Sequence, residues 1–193
     1  MRTVLAMACV VMGLLGCGKP APLTTTTVDG GCGITVESWA LAEASHVPVG
    51  TSLSWDSNPP SSGSHFPAWA AFQEFAAPVP RGYLVHDLEH GAVVLLYNCA
   101  SVEGGADGGA CELLREGLRQ VSASLPIDPR CPSAVRVRTI ITPDPFIPTP
   151  VAAAAWGFVY RAECVDLPSL KDFAAAHYAN APENECANGV TSF

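Results

Sequence analysis

The chain has 193 residues, 49% of them hydrophobic and 15% charged, with a formal net charge of -8 at pH 7. That length suffices for one domain with its own core and is too short for two comfortable ones. With 10 Lys and Arg against 18 Asp and Glu, and no basic cluster, the composition is a poor match for nucleic acid or for charge-driven binding to anionic lipid.

The first residues stand apart from the rest. Arg2 precedes an apolar run, Thr3 to Leu15, that ends in Leu14-Leu15-Gly16-Cys17 and is too brief to span a bilayer. This start resembles a bacterial lipoprotein signal peptide with its lipobox. The resemblance implies a signal peptide over 1–16, cleavage before Cys17, acylation of Cys17 and anchorage in the lipid bilayer by acyl chains. Arg2 is the only charged residue removed, so the formal charge would move from -8 to -9. Residues 18–31, GKPAPLTTTTVDGG, carry few large apolar side chains and read, with the lipidated Cys17, as a flexible tether over 17–31. A single domain over 32–193 follows, expected outside the cytoplasm in the bacterial cell envelope, on the cytoplasmic or outer membrane.

Within that domain, Ile34 to Val49 gives a mixed strand and helix signal, and His46 at its end reads as a surface or core-edge residue. Residues 50–67 form a long loop, because Pro59, Pro60 and Pro67 break any ladder or helix. Such loops inside compact domains tend to serve or cover a site. Pro67 to Phe72 is expected as a short helix with Pro at its first position. Tyr83 to His86 and the β-branched, apolar Ala92 to Tyr97 are expected as strands, separated by Gly91. Leu113, Leu114, Leu118, Val121 and Leu125 predict a helix over 111–125, closed by Pro126. Ala134 to Thr142 alternates as a half-solvated strand with Arg136 and Arg138 on the outer face. Val151 to Ala162 reads as one buried strand, and Leu167 to Tyr178 as an amphipathic helix with His177 near its final carbonyls. The expected fold class is α+β: a mostly antiparallel sheet with helices packed on one face, stapled by disulfides.

Eight cysteines support an exported location. Cys9 would leave with the signal and Cys17 would carry lipid. The remaining six suggest three bridges. Spacing favours Cys99–Cys111 across a Gly-rich loop and Cys164–Cys186 around a helix, which leaves Cys32–Cys131. Each would add roughly 2–4 kcal/mol. The six contain no Cys-x-x-Cys pair, which argues against thiolate metal ligation.

The densest chemistry lies in His86-Asp87-Leu88-Glu89-His90, with Ser62-Gly63-Ser64-His65 upstream. His86 and His90 are four apart, so they share a face on a helix and also on a strand. Together with Pro59-Pro60-Ser61-Ser62-Gly63-Ser64-His65, Gly91-Ala92-Val93, Ala155-Trp156-Gly157 and Pro182-Glu183, these motifs resemble the DUF3105 family across most of residues 50–185. Asp87 stands where serine is expected. The resemblance implies a shared fold and a shared importance of the histidine motifs, and it carries no activity.

His65, His86 and His90 with Glu89 offer three nitrogens and one oxygen, a set that suits Zn²⁺ or Cu²⁺ rather than Ca²⁺ or Mg²⁺. Asp87 is expected to point to solvent. Two other readings compete. One is a metal-dependent hydrolase with Glu89 as catalytic base, since His-x-x-Glu-His also marks inverted zinc peptidases, although nothing downstream resembles their second, glutamate-bearing helix. The other is an envelope scaffold whose His/Glu network is purely structural. Ser62 or Ser64 beside His65 lacks a nucleophile elbow.

Overall fold

The computed structural model describes residues 20–28, 31–102 and 109–193. The expected signal peptide and acylated Cys17 lie outside the described residues. Among the described residues no helix is long and apolar enough to cross a membrane.

The described chain forms strands β1 (Thr24–Val28) and β2 (Ile34–Ser38), helix α1 (Arg81–Glu89), β3 (Val93–Tyr97), and α2 (Gly109–Ser124). It continues with β4 (Thr139–Pro143), β5 (Val151–Ala155), β6 (Phe158–Ala162) and α3 (Leu167–His177). The strands make one sheet in the order β1-β2-β6-β5-β3-β4. Every pairing is antiparallel except β3 with β4. This is the expected α+β architecture.

Alternation along β3 divides the core into two layers. Val93, Leu95 and Tyr97 face α2 and α3, where Leu114, Leu118, Val121, Leu170 and Phe173 cover them. Val94 and Leu96 face Leu84, Val85 and Leu88 of α1, with Phe66 and Phe75 from the irregular segment before it. Two helices therefore share one face, as expected, while α1 and the Pro-rich loop occupy the other. Both faces of β3 are buried, which is why it reads as an unbroken apolar run.

Several local expectations change. Tyr83 to His86 lies in α1, not in a strand. All of 82–89 are buried, the polar His86, Asp87 and Glu89 with the apolar residues, so no helical stripe distinguishes it. The terminators mark the helix: Pro80 sits at the N-cap, and Gly91 follows the helix at φ 85°. Pro67 to Phe72 is bends without a helix. Thr24 to Val28, assigned to the tether, pairs in full with β2. Val151 to Ala162 is a hairpin, turning at Trp156-Gly157 with Gly157 at φ 79°.

The strand expected from Ala134 begins only at Thr139, and Arg138 is not on a solvated face. It is 1% exposed and makes a two-point contact with Asp128, Nε at 2.9 Å and Nη2 at 2.7 Å from Oδ2. His177 stacks on Phe158, with ring centroids 3.9 Å apart. Its helix-end position therefore serves packing rather than the final carbonyls.

Three disulfides are present: Cys99–Cys111, Cys32–Cys164 and Cys131–Cys186. The first is the expected clip. The pairings Cys164–Cys186 and Cys32–Cys131 are replaced, because antiparallel β2 and β6 bring Cys32 beside the end of β6. Cys186 is left to tie the C-terminal strap to the loop after Asp128. All three fit an oxidising, extracytoplasmic compartment.

Candidate metal centre

Helix α1 presents His86, Glu89 and His90 at its C-terminal end, and the loop before it brings His65 across. Close approach makes this possible. A Cβ on Gly82 would lie 2.6 Å from the Phe66 ring, so the absence of a side chain lets the His65-Phe66 segment press on the helix. The Phe66 N–H donates to the Gly82 carbonyl at 3.1 Å. Residues 45–47 zip onto the same segment: Val47 N–H donates to the His65 carbonyl at 2.8 Å, and His65 N–H to that of Ser45 at 3.0 Å. Ser64 Oγ bonds Ser45 Oγ at 2.8 Å, and Ser62 Oγ accepts from the Ala42 N–H at 3.2 Å. These hydroxyls fasten one loop to another.

The result is a contiguous set of four imidazoles. Ring centroids are 4.9 Å apart for His46 and His65, 4.8 Å for His46 and His86, 4.7 Å for His65 and His86, and 4.6 Å for His86 and His90. Among the described residues two groups have ligand atoms within 4.8 Å of one another: His46, His65, His86 and Glu89, and separately His86, His90 and Glu183. The structure thus joins His65, His86 and Glu89 as expected. It adds the exposed His46, and it turns His90 toward Glu183.

The proton positions follow from the partners. His65 Nδ1 lies 2.9 Å from the Gly63 carbonyl and His86 Nδ1 lies 2.7 Å from that of Phe66. A carbonyl only accepts, so each Nδ1 carries a hydrogen, which in the neutral ring leaves the lone pair on Nε2. A backbone carbonyl on one nitrogen, holding the ring while the other stays basic, is how proteins orient histidine ligands. His65 Nε2 then lies 3.0 Å from Glu89 Oε2, yet without hydrogen-bond geometry, and it has no hydrogen-bond partner among the described residues. His65 is 1% exposed. Two donor atoms thus lie side by side in a buried place without bonding to each other, an arrangement that a cation bound to both would use.

Burial pulls the His86 pKa down to about 4; the Phe66 carbonyl opposes this, and the neighbouring imidazoles of His90, His65 and His46 add to it. The ring is therefore neutral at mildly acidic pH, with its lone pair available. Burial also lowers His90, against the pull of Glu183 and Glu185. A cavity of about 120 Å³ opens onto the set, bordered by His46, His65, Glu89 and Glu183.

Asp87 does not point to solvent. It is 0% exposed, with Oδ2 accepting the Ala70 N–H at 3.1 Å and Oδ1 unpartnered among the described residues. Burial raises its pKa well above the usual carboxylate range, only partly offset by Ala70. A raised carboxyl pKa favours the fold fully below the unfolded value near ~3.9, and that contribution is lost as pH rises through the folded value. Asp87→Asn, which cannot ionise, should therefore gain stability relative to the wild type as pH rises from about 4 to 7. The gain should shrink toward pH 4, as urea unfolding at the two pH values will report.

Two residues escaped the sequence reading. His46 looked like a lone element-end histidine, and only its loop pairing with His65 brings it in. Glu183 had a signal, since Pro182-Glu183 is one of the motifs that carried the family resemblance. Its backbone N–H donates to the Glu89 carbonyl at 3.2 Å, which sets its side chain beside the end of α1. The His-x-x-Glu-His motif does lie on a helix, while the additional carboxylate comes from an irregular strap.

A family described as "Protein of unknown function (DUF3105)" matches residues 46–189, a span that starts at His46 and includes every residue of both groups. No curated protein and no solved structure matches.

Proposed function

The chain belongs to the DUF3105 family, which has no assigned activity, and we propose that it binds a transition metal, Zn²⁺ or Cu²⁺, through His46, His65, His86 and Glu89. The observation that carries this reading is the buried His65 Nε2, held with its lone pair 3.0 Å from Glu89 Oε2 and given no hydrogen-bond donor among the described residues. Three imidazoles and a carboxylate form a donor set of intermediate softness that suits these ions. The six cysteines that could offer soft thiolates are consumed in disulfides. In this proposal the domain is held at the cell envelope by acylated Cys17, outside the cytoplasm, with the bilayer as its partner.

Metal analysis and thermal melting of the full-length chain, purified without a histidine tag, test the reading. Zinc or copper at a thousandfold excess over Kd should stabilise the fold by about 4 kcal/mol. No bound metal and no shift in melting would remove the proposal.

A second reading, a metal-dependent hydrolase with Glu89 as base, draws on the cavity of about 120 Å³, which leaves room for a water at an open position. Glu89→Gln separates the two: a base lost would end turnover with metal retained, whereas a ligand lost would release the metal.

A further inference from the structure

The donors around α1 outnumber what one ion of this kind takes. Four imidazoles and two carboxylates meet there, and His86 belongs to both groups. Because His86 Nδ1 is bound to the Phe66 carbonyl, the ring has one lone pair to give, on Nε2, and serves one cation at a time. When a second ion is bound, His86 passes to it from the first and the six donors divide evenly. His46, His65 and Glu89 form one set of two nitrogens and one oxygen, and His86, His90 and Glu183 form another.

The two His–Glu contacts have the same span. His65 Nε2 to Glu89 Oε2 and His90 Nε2 to Glu183 Oε2 are both 3.0 Å. Neighbouring donors on an ion with bonds near 2.0–2.1 Å lie roughly 2.9–3.4 Å apart, so each pair already has the separation of two ligands on one metal. They differ in what lies between them. The first lacks hydrogen-bond geometry, whereas the second is a hydrogen bond.

His90 is also less constrained than its neighbours. Its Nδ1 is buried and has no hydrogen-bond partner among the described residues, so no carbonyl fixes the tautomer. Moving the ring hydrogen to Nδ1 breaks no other hydrogen bond and frees Nε2 for a cation. Glu183 is held from behind: its backbone is tied to Glu89, Arg138 Nη1 donates to Asn184 Oδ1 at 2.7 Å, and Cys186 is bonded to Cys131. Its carboxylate borders the same cavity as Glu89.

We propose that the chain holds a second divalent transition-metal ion at His86, His90 and Glu183, beside the first, so that the loaded centre contains two ions facing one cavity. This rests on the metal-binding reading above. The second ion binds more weakly, because it displaces the proton shared by His90 and Glu183. Two-metal centres elsewhere hold their ions about 3.5–4 Å apart.

The test is Zn²⁺ stoichiometry of the full-length, untagged chain in detergent after chelator treatment, measured by equilibrium dialysis and native mass spectrometry. Glu183→Gln is the chosen variant because the Glu183 side chain is 49% exposed and its loss leaves the strap's backbone ties intact. The wild type should take up two Zn²⁺ in two steps and Glu183→Gln one, with its remaining step unchanged. His46→Ala should also bind one, having lost the tighter step. One Zn²⁺ in both wild type and Glu183→Gln would overturn the second position and leave the first. Two in both would overturn it by placing the second ion elsewhere. None in the wild type would remove both proposals.

Discussion

Glu89→Gln should lose at least about 100-fold in Zn²⁺ affinity, while the metal-free variant melts at or above the temperature of the wild type. Supporting residues behind a metal ligand already cost 10–100-fold when changed, so loss of a direct ligand sets the lower bound near the top of that range. The stability half of the result is the more telling. In the wild type His65 Nε2 lies 3.0 Å from Glu89 Oε2 with no hydrogen bond between them. A neutral amide in the same place breaks no hydrogen bond to His65 and removes a largely buried carboxylate whose desolvation opposes folding. A purely structural His/Glu network predicts the reverse, because removing one partner of a satisfied buried pair destabilises the fold. Isothermal titration with Zn²⁺ and calorimetric melting of the metal-free protein distinguish them: a lower melting temperature with unchanged affinity would leave a scaffold.

The second large effect comes from a residue that is not itself a proposed metal ligand. Arg138→Met should cost about 3–5 kcal/mol, because it strands the buried Asp128 carboxylate and removes the donor that reaches the His90 carbonyl at 2.7 Å. For a chain of this size that lowers the melting temperature by roughly 6–20 °C. Replacing both members, Arg138→Met with Asp128→Leu, should recover much of the loss, since an apolar pair carries no desolvation penalty.

The pH dependence of Arg138→Met follows from Asp128. Burial pushes its carboxyl up, but hydrogen bonds from the Arg130 N–H, the Tyr178 hydroxyl and Arg138 outweigh that and hold it below the usual range. A depressed carboxyl contributes stability above the unfolded pKa near ~3.9 and loses it as pH falls through the folded value. The penalty of Arg138→Met should therefore narrow as pH drops below about 4. A penalty that stayed constant from pH 7 to pH 3 in urea unfolding would show that the ion pair is not its source.

Much of the fold was legible in local pattern. Val93 to Tyr97 announced a strand buried on both faces, and the leucines of α2 and the Leu170–Phe173–Ala174 stripe of α3 announced helices within one or two residues of their ends. These signals survive because side-chain periodicity is set by the element that carries it. Tyr83 to His86 misled for the same reason: a helix buried all round has no amphipathic stripe, and a short apolar run is then ambiguous between strand and helix. Arg138 misled because alternation records which side a residue occupies and not whether a carboxylate waits there.

The chain by itself determined the inventory: one α+β domain, a cysteine set suited to disulfides, and a motif placing His86, Glu89 and His90 together with His65 nearby. Tertiary structure alone decided the company they keep. It paired Cys32 with Cys164, brought His46 onto His65, and laid Glu183 beside Glu89. The division has a physical cause. Local elements follow from backbone sterics and burial within a few residues, whereas ligand convergence requires side chains from distant segments to meet within about 3 Å, which only the packing of the sheet, loop and strap can set.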